Sequence, residues 1–143
     1  MFWGSDWSCG LPLLIVTVVF HVWMFVLIER ALAVIVRERG GGGGLPRFTA
    51  AIAVTALAAA MLHGVEAAAW ALLYLWLGAI GDPTDAMLYS LSAITSYGHA
   101  EIFLENHWRL LGAIEAMNGL ILFGLTTAFL FAAIEDMRPP RRR

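Results

Sequence analysis

The sequence predicts an all-α membrane protein with three membrane-crossing helices and one short re-entrant helix. Three observations carry this. Of its 143 residues, 60% are hydrophobic, and the mean hydropathy is +0.75, well beyond the range of soluble domains. Three apolar runs, 11–36, 48–80 and 107–134, are each long enough to cross a bilayer core, which takes roughly 20 residues. Between the second and third lies Ala86 to Ala93, apolar on one side and too short to cross, so it enters the membrane and returns.

Composition excludes several classes. Cys9 is the single cysteine, so the chain forms no internal disulfide, and no Cys/His cluster has zinc-site spacing. All nine basic residues are arginines beside apolar runs, without aromatic interleaving, which excludes a nucleic-acid partner.

The elements follow in order. Residues 1–10 carry Trp3, Asp6 and Trp7 and suit an extracellular segment at the membrane interface. No basic stretch precedes the first apolar run and no small-residue cleavage site follows it, so it is not read as a signal peptide. Residues 11–36 form the first span, with Pro12 at its start, where a missing N–H is harmless. Glu29 and Arg30 snorkel near its far end. His21 lies mid-span with no acidic or cysteine partner within a helical turn, and is expected to be a neutral histidine hydrogen-bonded between helices. Residues 37–47 are a cytoplasmic linker around five glycines, Gly40 to Gly44. No Lys-Ser/Thr follows them, so they are not a phosphate loop.

Residues 48–137 are expected to form one unit. As a straight helix, Phe48 to Ile80 would measure roughly 50 Å, so it must tilt, bend or begin at the interface. His63, Glu66, Trp70 and Tyr74 recur at helical spacing on one face. His63 and Glu66 can pair, either as a polar clasp to a neighbouring helix or as a proton-sensitive or gating element. Asp82, Pro83, Thr84 and Asp85 are helix-start residues. The third apolar run closes the unit, and 138–143 is a basic cytoplasmic tail. Eight of the nine arginines flank the 37–47 linker or follow the third span, which places those regions in the cytoplasm and the N-terminus outside. Asp82, Asp85, Glu101 and Glu105 then form an acidic outer rim.

The stretch 63–131 resembles the pore module of the bacterial potassium-channel superfamily. The last span carries Arg109-Leu110, then Gly119, Phe123-Gly124-Leu125 and Thr127, in the order of that family's inner helix. The resemblance implies a homotetramer in a bacterial inner membrane. Gly119 is then a hinge, while Phe123, Thr127 and Asn118 face a water-filled cavity and Gly124 lies beside them. Asn118 equally suits a bond between helices. The added N-terminal span and a His-x-x-Glu, here His63 and Glu66, resemble bacterial channel-like proteins of the same superfamily.

The filter stretch, Thr95, Ser96, Tyr97, Gly98 and His99, departs from the family pattern Thr-Val-Gly-Tyr-Gly-Asp. Ile94 stands where a threonine helps form the innermost ion site. Ser96 stands at a glycine where the backbone changes hand, a conformation that a Cβ disfavours. His99 replaces the bracing aspartate, and the interval from Ser90 to Tyr97 is two residues short. The resemblance therefore implies at most two carbonyl rings, at Tyr97 and Gly98, and a cation channel of weak or altered selectivity. The alternative is a non-conducting, channel-derived membrane protein with a structural or partner-binding role. Glu115 is expected to brace the re-entrant helix through Ser90, Ser92 or Thr95, or to meet the cavity. Beyond K+ or another monovalent cation at Tyr97-Gly98, no cofactor is expected. No metal site or nucleophile–base pair occurs at useful spacing, so no enzymatic activity is expected.

Overall fold

The computed structural model describes residues 3–38, 45–98 and 102–136. It contains α1 (Trp3–Glu38), α2 (Leu45–Trp76), α3 (Pro83–Ile94) and α4 (Arg109–Asp136), with a 3-10 turn at Asn106–Trp108 leading into α4. There is no strand among the described residues. Three stretches are long and apolar enough to cross a membrane: Gly4–Ala31, Phe48–Trp76 and Arg109–Glu135. The runs Arg39–Gly44, His99–Glu101 and Met137–Arg143 lie outside the described residues, and with them most of the glycine linker, His99, Glu101 and the basic tail.

The first helix begins at Trp3, eight residues before the apolar run, and Pro12 stands inside it rather than at its start. Tertiary contacts hold this polar beginning in place. Asp6 is buried, and its carboxylate accepts the Leu111 N–H at 3.1 Å. That amide is one of the unpaired donors of the first turn of α4, so α1 caps α4 from the side. Gly10 follows one turn later. A Cβ there would stand 2.9 Å from a Leu111 methyl and 3.1 Å from Ile114.

From this contact α1 and α4 run parallel, successive positions of α1 meeting later positions of α4. Thr17 meets Asn118, His21 meets Thr126, and Phe25 stacks on Phe129 at 4.2 Å between ring centroids. The C-terminal ends of α1 and α4 therefore lie at the same end of the bundle. The buried residues Asp6, Gly10, Thr17, His21 and Phe25 mark the seam on α1.

The second helix ends at Trp76, short of Ile80, and the reason is Gly78. With φ +66°, it closes a left-handed C-cap in which Gly78 N–H donates to Leu75 O at 3.1 Å and Ala79 N–H to Tyr74 O at 2.9 Å. The chain then turns into α3, whose N-cap Asp82 accepts the N–H groups of Thr84 (2.8 Å) and Asp85 (3.0 Å). Pro83 occupies the first turn. At 12 residues α3 is roughly 18 Å long, too short to cross. It packs between α2 and α4, and α4 touches all three other helices. Trp70, Tyr74, Ala86, Leu104, Leu111 and Ile114 form the main apolar core around it.

Candidate functional site

The site is built outward from the C-terminal end of α3. Its last turn closes through the same left-handed C-cap that ends α2, but with serine at the left-handed position. Ser96 N–H donates to Ala93 O at 3.0 Å and Tyr97 N–H to Ser92 O at 2.9 Å, with Ser96 at φ +56°. Gly98 follows at φ +85°. Among the described residues Ser96 is the only non-glycine with positive φ. A Cβ there is disfavoured by about 1–2 kcal/mol. The backbone hand thus changes on either side of Tyr97, which is 87% exposed.

Behind this turn, α4 comes into direct backbone contact with α3. A Cβ on Gly119 would stand 1.9 Å from the Ile94 carbonyl oxygen and 2.7 Å from its carbon. Only glycine fits there. What the structure gives Gly119 is a close approach between α4 and the end of α3. Gly124 has nothing within 4 Å of an added Cβ.

Two buried polar clusters tie the helices together. In the first, Glu115 of α4 is fully buried. Tyr74 O–H donates to its Oε2, and Ser90 Oγ lies in hydrogen-bonding contact with Oε1. Ser90 Oγ also lies 2.6 Å from the Ala67 carbonyl oxygen. Glu115 thereby joins α2, α3 and α4. Ser92 and Thr95 are not part of this brace: their hydroxyls donate within α3, to Leu88 O at 2.8 Å and Leu91 O at 2.6 Å.

In the second cluster, His21 of α1 places Nδ1 2.7 Å from Glu66 Oε1. His63, one turn before Glu66 on α2, places Nδ1 3.2 Å from Glu66 Oε2. The Nε2 atoms of both histidines converge on the Thr126 hydroxyl of α4, at 3.1 and 3.0 Å. All four residues are buried. His21 and Glu66 stand 45 positions apart, so no local spacing signals this contact or a metal set. The packed helices bring one ligand atom from each of His21, His63 and Glu66 within 4.8 Å of one another. The signal that was available is the polar stripe Asp6, Thr17 and His21 in an otherwise apolar helix.

Phe123 stacks on His63, with centroids 4.3 Å apart and planes 21° apart. Its other side is exposed, as are Leu120, Gly124, Thr127 and Phe131 on the same face of α4. Thr127 Oγ1 donates to Phe123 O at 2.8 Å. Of the two alternatives for Asn118, the structure shows the bond between helices. Asn118 is fully buried, and its Nδ2 donates to Thr17 Oγ1 at 2.9 Å, so it bridges α4 to α1.

Fold and geometry together define a helical membrane protein with three spans and a short helix packed between two of them. The family model described as ion channel matches residues 60–136, more than half of the chain. The chain therefore belongs to the ion channel family, and a lipid bilayer and ions are its setting. Comparison with curated proteins and with solved structures finds no match.

Proposed function

We propose that four copies of this chain surround an axis and pass monovalent cations, potassium among them, with weak or altered selectivity across a bacterial inner membrane. Tyr97 and Gly98 supply the coordinating carbonyls, and the exposed face of α4 at Phe123, Gly124 and Thr127 lines the cavity. One observation carries this reading: the change of backbone hand at Ser96 and Gly98, on either side of an exposed Tyr97. Ser96 also caps α3, but a serine held at positive φ where glycine serves at the end of α2 is the kind of strain that clusters at functional sites. The orientation, N-terminus outside and C-terminus in the cytoplasm, is supported by the shared end of α1 and α4. Arginine-rich stretches follow both helices in the sequence, the pattern of a cytoplasmic side.

The rival reading is a channel-derived membrane protein that no longer conducts. The missing glycine at Ser96 and the short run from Ser90 favour it. Liposome flux separates the two. Purified protein is expected to pass K+ and Na+ with little discrimination, and Ser96→Gly is expected to raise the preference for K+. Liposomes that leak neither K+, Na+ nor protons above the protein-free control decide for the rival.

A further inference from the structure

We propose that His21, His63 and Glu66 form a transition-metal site inside the helix bundle, for an ion of the zinc class. The inference is independent of whether the chain conducts.

Three features point to a cation. The first is convergence. Two imidazoles and one carboxylate, from α1 and α2, offer ligand atoms within 4.8 Å of one another. Imidazole with carboxylate is a donor set that suits zinc and its first-row neighbours. With metal–ligand bonds of about 2.0–2.1 Å, tetrahedral ligand atoms stand roughly 3.3 Å apart. His63 Nδ1 is already 3.2 Å from Glu66 Oε2. The 2.7 Å from His21 Nδ1 to Glu66 Oε1 must open by about half an ångström for that spacing.

The second is an unfinished hydrogen-bond network. His63 Nδ1 and Glu66 Oε2 are buried without a hydrogen-bond partner. Groups as buried as these are normally satisfied. Close as they are, they do not align as donor and acceptor, whereas a metal between them would use both lone pairs.

The third is the outer partner. The Thr126 oxygen has two lone pairs and lies 3.1 and 3.0 Å from the two Nε2 atoms. In the tautomer with both Nε2–H groups donating to it, the proton that His21 Nδ1 shares with Glu66 is given up and both Nδ1 lone pairs are free for a metal. Metal-bound histidines commonly hand their second ring N–H to such an acceptor, which fixes ring and tautomer. His63 keeps 11% of its side chain exposed, against 0% and 1% for His21 and Glu66, so an ion arrives from the His63 side. Bound there, it would tie α1 to α2 and fix the ring on which Phe123 stacks.

The test uses full-length protein without a histidine tag, in detergent, equilibrated with Zn2+ or Co2+. The expected result is one ion per chain, the visible spectrum of four-coordinate cobalt, and a raised unfolding temperature. His63→Ala and Glu66→Gln, checked for unchanged helicity and elution, are expected to abolish binding. His107→Ala should retain it, because the exposed His107–Glu105 pair is a separate surface feature. Zinc-edge X-ray absorption on the unaltered chain reads the ligand set without any substitution, and should show two imidazoles with oxygen. Absence of stoichiometric metal in the unaltered chain would overturn the site. So would metal retained in both variants, a sulfur ligand from Cys9, or a single imidazole.

Discussion

The two buried carboxylates of this protein make an instructive contrast. Both are nearly inaccessible, and α2 carries a partner for each, Tyr74 for Glu115 and His63 for Glu66. Glu115 is complete: each of its oxygens has a hydroxyl in contact, from Tyr74 and Ser90. Glu66 is not, since its Oε2 lacks a hydrogen bond, as does the neighbouring His63 Nδ1. A buried polar cluster with every group partnered adds rigidity and little else. One with groups left over keeps its capacity to take a proton or an ion. The first cluster holds α3 on α4 beneath the Tyr97 turn, while the second holds α1 on the module behind it.

If this contrast is right, the α3–α4 side should tolerate change least. Gly119→Ala should show the largest effect, because backbone atoms of Ile94 stand where the methyl must go. We expect at least about 3 kcal/mol of destabilisation, the top of the overpacking range, read by denaturation in detergent. Gly124→Ala, with open space around it, should be neutral or slightly stabilising in the same assay.

Glu115→Ala should follow, at about 2–3 kcal/mol, since it leaves the buried Tyr74 hydroxyl without its acceptor, while Ser90 keeps the Ala67 carbonyl. Glu66→Gln should cost less, about 1 kcal/mol, because part of that cluster is unpaired already. Equal losses at the two sites would erase the distinction between a finished and an unfinished cluster.

Ser96→Gly should stabilise the turn by about 1 kcal/mol, the strain of a left-handed serine. A destabilised Ser96→Gly would mean that the hydroxyl does more than fill space. The smallest effect is expected for Thr17→Val, which breaks the bridge to Asn118. Hydrogen bonds between membrane helices average only about 0.6 kcal/mol.

Much of the hairpin was readable in the sequence because its signals are local. Apolar length gave the spans, Asp82 with Pro83 gave the start of α3, and Ser90 and Glu115 were candidates by residue type and order. The rest depends on how helices meet. Nothing near Asp6 in the chain indicates that it caps Leu111. With Trp3 and Trp7 beside it, the segment resembles an interface rather than helix. Asn118 was left between cavity and helix contact because only the register of α1 on α4 decides it. His21 and Glu66 meet for the same reason. The left-handed position at Ser96 was legible only through the family resemblance, since serine by itself does not signal what glycine marks plainly at Gly78.

The most direct test of the channel account is an image of the assembled protein in a lipid nanodisc with K+ present. Fourfold symmetry is expected, with Tyr97-Gly98 turns around ion density on the axis and the Phe123–Thr127 face of α4 lining the space below. An assembly of another order, or α4 helices closing the centre with no axial opening at Tyr97, would contradict it.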